Sequence, residues 1–254
     1  MMIDHLSASQ IQTYLDCSLK YKFSYIDKLP RPFRASGLAL GSAFHSSVEW
    51  LHKKWSNGQD VTLESVWDIF EADWYAQCFE PIHYKNGETE KELLNLGRNL
   101  ISLYFNNAPR NEVIHTELPF QLPITNIETG EVLDITLKGI IDKIEAGDVV
   151  VDLKTWGRMI SAHDLEYNLQ LTAYAYAYWM MYKKFPTLRF DVLLKTKTPR
   201  FEQLETTRLL DHCVIFFNLC KSVYQSIQKE VFLPNPSWKC QDCEYRDQCW
   251  FWNK

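Results

Sequence analysis

The stretch Gly139–Gly157, GIIDKIEAGDVVVDLKTWG, carries two apolar runs joined at Ala146-Gly147 and sets Asp142, Asp152 and Lys154 among them. Two such runs around a glycine-containing turn predict a β-hairpin. Alternate side chains of a strand share a face. Within VVVDLKT, Asp152 and Lys154 therefore point one way and Leu153 the other, into packing. The preceding strand, ending near Asp142, folds back alongside, so two carboxylates and one ammonium converge. An isolated Asp-x-Lys is commonly a surface ion pair, and its weight here comes from the residues in order around it.

Upstream, GSAFHSS places His45 four residues after Gly41 in a helical pattern. Downstream, QLTAY places Gln170 and Tyr174 four apart, on one helical face. At the N-terminus, SASQIQTYLDCSLKYKFSYI reads as one helix capped by Ser7 or Ser9, with Ile11, Tyr14, Leu15, Leu19 and Phe23 at helical spacing. The prolines of DKLPRPFRASG end it. Further helices are expected over 40–55, 62–80 and 88–107, forming a lobe laid over a sheet.

From residue 112 the texture is that of strands: EVIHTELPFQLPI, a turn at ETGE, then the hairpin. A helix over 165–184, a strand LRFDVLLKT and a helix over 207–230 follow. LQLTAYAYAYWMMY reads as a buried helix, and the tail VFLPNPSWKCQDCEYRDQCWFWNK as a loop. The pattern is mixed α/β, read as one domain over 1–254. Its parts are a mainly helical region 1–110, a sheet core 111–206 and a cysteine-rich tail 207–254.

At 254 residues and 46% hydrophobic content, the chain can bury a sizeable core. Its start lacks a basic segment leading into an apolar one, and no run reaches the roughly 20 apolar residues a membrane span needs, so a cytoplasmic protein is expected. Net charge is −5, with 27 basic against 32 acidic residues, which gives no global footprint of a nucleic-acid binder. Local basic patches run the other way, one from Lys20 to Arg34 and one from Lys195 to Arg200. There is no glycine-rich nucleotide-binding loop of the Walker type.

The ordered set GSAFH, GIID, DLKT and QLTAY, with the N-terminal SASQIQTYLDCSLKYKF and the terminal cysteines, resembles the RecB/AddB-like exonuclease branch of the PD-(D/E)XK nucleases. That branch includes the CRISPR-adaptation exonucleases. The resemblance implies a restriction-endonuclease-like core, a central mixed sheet flanked by helices. It also implies that His45, Asp142 and Asp152, with the Leu153 carbonyl, bind Mg²⁺ or Mn²⁺. Lys154 would position or help deprotonate the attacking water, and Gln170 and Tyr174 would support the site and the strand. The chemistry agrees: phosphodiester hydrolysis needs a nucleophile at neutral pH and charge on the phosphate oxygens, and hard divalent ions on carboxylates supply both.

Seven cysteines without a secretory signal argue for metal ligation or burial rather than disulfides. Cys240, Cys243 and Cys249 have C-x2-C-x5-C spacing, which suits structural zinc or an iron-sulfur cluster. The resemblance supplies Cys17 as fourth ligand and a 4Fe-4S cluster as occupant, although Ser18 stands where the family often has proline. Cys78, Cys213 and Cys220 are expected to be buried thiols. The expected function is exonucleolytic cleavage of single-stranded DNA ends, in CRISPR adaptation, recombination and repair with a helicase partner, or phage DNA processing. Tyr21, Tyr25 and Phe33, interspersed among the basic residues, would stack on the strand. The competing expectation is a catalytically silent nuclease-like module that binds DNA or a partner protein.

Overall fold

The hairpin expected at Gly139–Gly157 forms the middle of the sheet. In the computed structural model, which describes residues 3–85 and 87–252, the chain begins with β1 (His5–Leu6), α1 (Ala8–Asp16) and α2 (Ser18–Tyr21). It continues through β2 (Arg34–Ala35), α3 (Ser36–Ser56), α4 (Leu63–Gln77), β3 (Ile82–His83) and α5 (Glu90–Asn107). Next come β4 (Val113–Thr125), β5 (Val132–Glu145), β6 (Val149–Trp156), α6 (Ala162–Glu166) and α7 (Leu169–Tyr182). The last elements are β7 (Thr187–Leu194), β8 (Arg200–Thr206), α8 (Leu210–Gln228) and α9 (Arg246–Trp252).

Among the described residues the main sheet runs β1-β5-β6-β7-β8, with β4 also paired to β5. The β4-β5, β5-β6 and β7-β8 pairs are antiparallel and β6-β7 is parallel, so the sheet is mixed. The β5-β6 turn uses Gly147 and Asp148 at φ 81° and 63°, which suits glycine and aspartate in a tight hairpin. The parallel β6-β7 pair requires a crossover, and α6 with α7 supply it.

One face of the sheet packs Ile144, Val150, Phe190 and Val192 against α7 and α8. Every residue of α7 from Leu171 to Tyr178 except Thr172 is buried, as expected for a helix apolar on all sides. The other face presents Leu153 and Leu193 to a lobe of α3, α4 and α5, built around Phe44, Phe70, Trp74 and Tyr104. Leu153 thus points away from Asp152 and Lys154, as strand alternation requires.

Several elements depart from the sequence pattern. The N-terminal helix breaks at Cys17, whose backbone is extended, and resumes as α2 followed by a π-helical turn over Lys22–Ile26. The break lets the Leu19 amide donate to the Leu233 carbonyl at 3.1 Å, tying the two ends of the chain. The 165–184 helix is two helices, because Asn168 caps a new one by accepting from the Leu171 amide. The strand β8 forms within the expected sheet core where no separate element was expected, and the tail, expected as loop, contains the short helices Trp238–Asp242 and α9. Cys213 and Cys220 are buried, whereas Cys78 is only partly so, since it caps the exposed end of α4. No helix among the described residues is long and apolar enough to cross a membrane.

Candidate active site

The β5-β6 ladder stops at Lys143 and Val151, and Asp142 and Asp152 lie just beyond the last pair. In place of the next ladder bond, Asp142 Oδ2 accepts from the Leu153 amide at 3.0 Å. The helix α3 crosses above this opening and brings His45 Nδ1 to 3.5 Å from the same oxygen. Lys154, next on its face after Asp152, forms an ion pair with it. From the opposite layer, α7 sends the Tyr174 hydroxyl to donate to the Ile140 carbonyl at 2.6 Å, and it lies 3.4 Å from Asp142 Oδ1.

Four of the expected residues thus converge from three elements: His45, Asp142, Asp152 and Lys154. Tyr174 buttresses Asp142 from behind. Gln170, one helical turn earlier, lies beside Tyr174 but lines an adjacent cleft with Phe120, Gly139 and Ile140 rather than the cleft above the aspartates. The Leu153 backbone is within hydrogen-bonding reach of His45.

The cleft above the aspartates has a volume of about 660 Å³ and is lined by His45, Glu49, Glu117, Asp142 and Lys154, among others. Glu117 did not emerge from the sequence. Thr116 pairs with Lys143 and Leu118 with Ile141, which leaves Glu117 across from Asp142. Its φ of 49° is unusual for a non-glycine residue in a strand, a strain often found at functional sites. A two-residue register shift between Pro123 and Thr125 hid this pairing from a count outward from the ETGE turn.

The electrostatics are those of crowded, poorly hydrated carboxylates. Burial pushes Asp152 up to about 6, with Lys154 pulling it down and Asp142 adding to the rise. Burial also raises Asp142 against the pull of Lys154 and the Leu153 amide. Glu117 is pushed up to about 7 by burial and then by Asp142 and Glu49. Burial works to lower Lys154, yet the two aspartates hold it above its ordinary value, so it stays charged. His45 is depressed by burial and by Lys154, which keeps its imidazole neutral, the form that ligates metal.

As the side chains lie, no three His, Cys, Asp or Glu among the described residues are gathered tightly enough to hold a metal ion. Asp142 is turned to the Leu153 amide and Asp152 to Lys154. The donor set nevertheless fits a hard divalent cation: carboxylates that repel one another, a neutral imidazole, and a fully buried Asp152 Oδ2 that lacks a well-directed hydrogen bond.

Cys17, Cys240, Cys243 and Cys249 line one cavity of about 440 Å³ between the N-terminal helices and the tail. Their thiols are not drawn together into a ligand set. Cys17 Sγ donates to the Leu233 carbonyl at 3.8 Å, and Cys240 Sγ lies 3.9 Å from the Asn235 carbonyl. The cavity wall is secured by Lys20 with Glu244 and Lys239 with Asp16, at 2.8 and 2.6 Å. This changes the reading of the first basic patch. Lys20 and Lys22 are spent on Glu244 and Asp27, and Tyr21 is fully buried, so none of the three is presented to a strand. Arg34 and Lys195 do lie by the active-site cleft: Arg34 donates to Ser42 Oγ at 2.7 Å, and Lys195 Nζ approaches Gly37.

A sheet opened at its middle over two aspartates and a lysine defines a nuclease of the PD-(D/E)XK class. The chain belongs to the PD-(D/E)XK nuclease superfamily, whose family model matches residues 5–250. Members of this superfamily use divalent metals such as Mg²⁺ or Mn²⁺. The fold is accordingly restriction-endonuclease-like, a mixed sheet between helical layers. A solved structure of a protein assigned as an exonuclease from Eubacterium rectale superimposes with a TM-score of 0.64 and 12% identity, covering 98% of this chain and 88% of that one. The Gene 69 protein of Mycobacterium phage L5 is 36% identical over 69 residues, which is 27% of this chain and 23% of the phage protein.

Proposed function

We propose that the chain is a metal-dependent DNA exonuclease that hydrolyses phosphodiester bonds at single-stranded ends. The convergence of His45, Asp142, Asp152 and Lys154 at the open end of the β5-β6 ladder carries this reading. Asp142, Asp152 and His45, with the Leu153 carbonyl, would hold one or two Mg²⁺ or Mn²⁺ ions. When bound, such ions supply positive charge on phosphate oxygens and make water a nucleophile at neutral pH. Lys154 keeps a fixed positive charge beside the attacked phosphate or the attacking water. Glu117 joins the carboxylate set from β4, while Tyr174 and Gln170 support it from α7. Arg34 and Lys195 flank the path of the strand.

The second cofactor is a 4Fe-4S cluster on Cys17, Cys240, Cys243 and Cys249. The cavity these four share, and the ion pairs that hold the tail against α1 and α2, support it. Its mechanical effect would be that of a crosslink closing a long loop. The protein acts in the cytoplasm, where thiols stay reduced, on ends that arise in spacer acquisition, recombination and repair or phage DNA processing, with a helicase or CRISPR-adaptation protein as partner.

The test offers end-labelled linear and closed circular DNA, single-stranded and duplex, with Mn²⁺ or Mg²⁺. Shortening of linear single strands from an end, with circles intact, is expected. Cutting of circles would overturn the exonuclease assignment. Binding without cleavage of any of these would favour a silent DNA-binding module.

A further inference from the structure

On the face of the sheet opposite Asp152, under the helical lobe, lies a buried ionic network that the catalytic site does not use. Lys143 Nζ pairs with Glu145 at 2.8 Å and with Asp191 at 3.6 Å. Arg189 bridges the same two carboxylates, at 2.8 Å each. Asn111 and Gln203 complete them with 2.8 Å hydrogen bonds. The four charges cancel, and Lys143, Glu145, Arg189 and Asp191 are each under 5% exposed.

Two residues of the lobe reach into this network. Tyr104 of α5 and His52 of α3 lie 2.7 Å apart, Oη to Nε2, and Lys143 Nζ stands 3.4 and 3.5 Å from them. Burial holds the His52 ring neutral, and Lys143, which can only donate, faces both Nε2 and the Tyr104 hydroxyl; the tautomer that suits it leaves Nε2 unprotonated, accepting from Tyr104, whose oxygen accepts from Lys143.

Buried ion networks add little net stability compared with apolar packing, and their best-attested use is to fix register. The apolar contacts of α3 with the sheet are not directional. His52 follows His45 by seven residues, two helical turns on the same face. Lys143 follows Asp142 in β5. The same helix and strand are thus tied twice, once inside the site by His45 and Asp142 and once in the core by His52 and Lys143.

We propose that the His52-Tyr104-Lys143 contact is a clamp that sets the height of α3 over β5, and with it the reach of His45 to Asp142, so that His52 and Tyr104 act as positioning residues for the metal site. This rests on the metal-dependent reading given above.

The test measures Mn²⁺ affinity by calorimetry on the full chain for wild type, His52→Leu, His52→Gln, Tyr104→Phe and Asp152→Ala, each checked for cooperative thermal unfolding. His52→Leu and Tyr104→Phe are expected to weaken Mn²⁺ binding about 10-fold, in the range that outer-shell partners of a metal site cost. His52→Gln, which keeps an acceptor, should restore most of it. The turnover of the His52 and Tyr104 variants on DNA should recover at saturating Mn²⁺, and that of Asp152→Ala should not. Binding within two-fold of wild type in both His52→Leu and Tyr104→Phe, with Asp152→Ala defective, overturns the clamp and leaves the metal site standing. If wild type binds no more Mn²⁺ than Asp152→Ala, the metal reading falls and the clamp with it. Should His52→Leu fail to fold, Tyr104→Phe, which removes one hydroxyl, decides alone.

Discussion

The Leu153 amide donates to Asp142 Oδ2 at 3.0 Å, so a carboxylate of β5 replaces the ladder bond that β5 and β6 no longer make beyond Lys143 and Val151. Asp142 is therefore a structural acceptor as well as a candidate ligand. Asp142→Asn keeps an oxygen for the amide and should leave the melting temperature within a few degrees while abolishing cleavage. Asp142→Ala leaves a buried N–H unpaired, which costs about 1–3 kcal/mol. Thermal unfolding of the two variants checks the difference, and equal stability would contradict the structural role.

Glu117 and Asp152 give the metal-free protein a pH dependence of definite sign. Their pKa values rise from 4.5 to about 7 and from 3.8 to about 6 on folding. A raised carboxyl favours the folded state when protonated, so its contribution is complete below the unfolded value and is lost as pH rises through the folded one. The melting temperature in chelator should fall between about pH 4 and 7 on this account, and Mn²⁺ should restore it above that range. Glu117→Gln should flatten the upper part of the fall, and an unchanged slope would remove Glu117 from the cluster.

Gly139 opens the motif for a packing reason. A Cβ at this position would lie 2.5 Å from the Phe120 ring, which is itself buried. Gly139→Ala should destabilise by about 1–3 kcal/mol, as overpacking does. Adding Phe120→Leu should recover part of that loss in denaturant unfolding, and a neutral Gly139→Ala would show that the ring yields freely.

The cysteine cavity makes its own prediction. Anaerobic preparation should give a brown protein absorbing near 400 nm with about four irons per chain, as a cluster on four cysteines requires. Cys243→Ser should lose the colour and lower the melting temperature. Stoichiometric zinc without iron would assign the site to structural zinc instead.

Strand alternation in VVVDLKT and the turn at Ala146-Gly147 made the hairpin and the Asp152-Lys154 face readable, because both depend on local rules. Where distant partners decide, the sequence is silent. The break at Cys17 answers to the Leu233 carbonyl, more than 200 residues on, while the helical pattern runs through it unchanged. The strand β8 is an edge whose residues are exposed or half-buried, so RFEQLET shows no buried face to mark it. Glu117 was hidden by a register shift seven residues away, and Lys20 and Tyr21 looked available because Glu244 and the core around Tyr21 are remote in sequence, whereas the Lys22 partner, Asp27, lies inside the same stretch.

The most direct test is cleavage of 5′-labelled single-stranded DNA in Mn²⁺ by purified wild type, Asp152→Ala and Lys154→Ala, with folding verified by circular dichroism. Wild type should degrade the strand and stop on addition of chelator. Both variants should lose at least about 100-fold, the scale on which one charge-stabilising group counts in catalysis. Undiminished cleavage by either folded variant would contradict the assignment of this site as the nucleolytic centre.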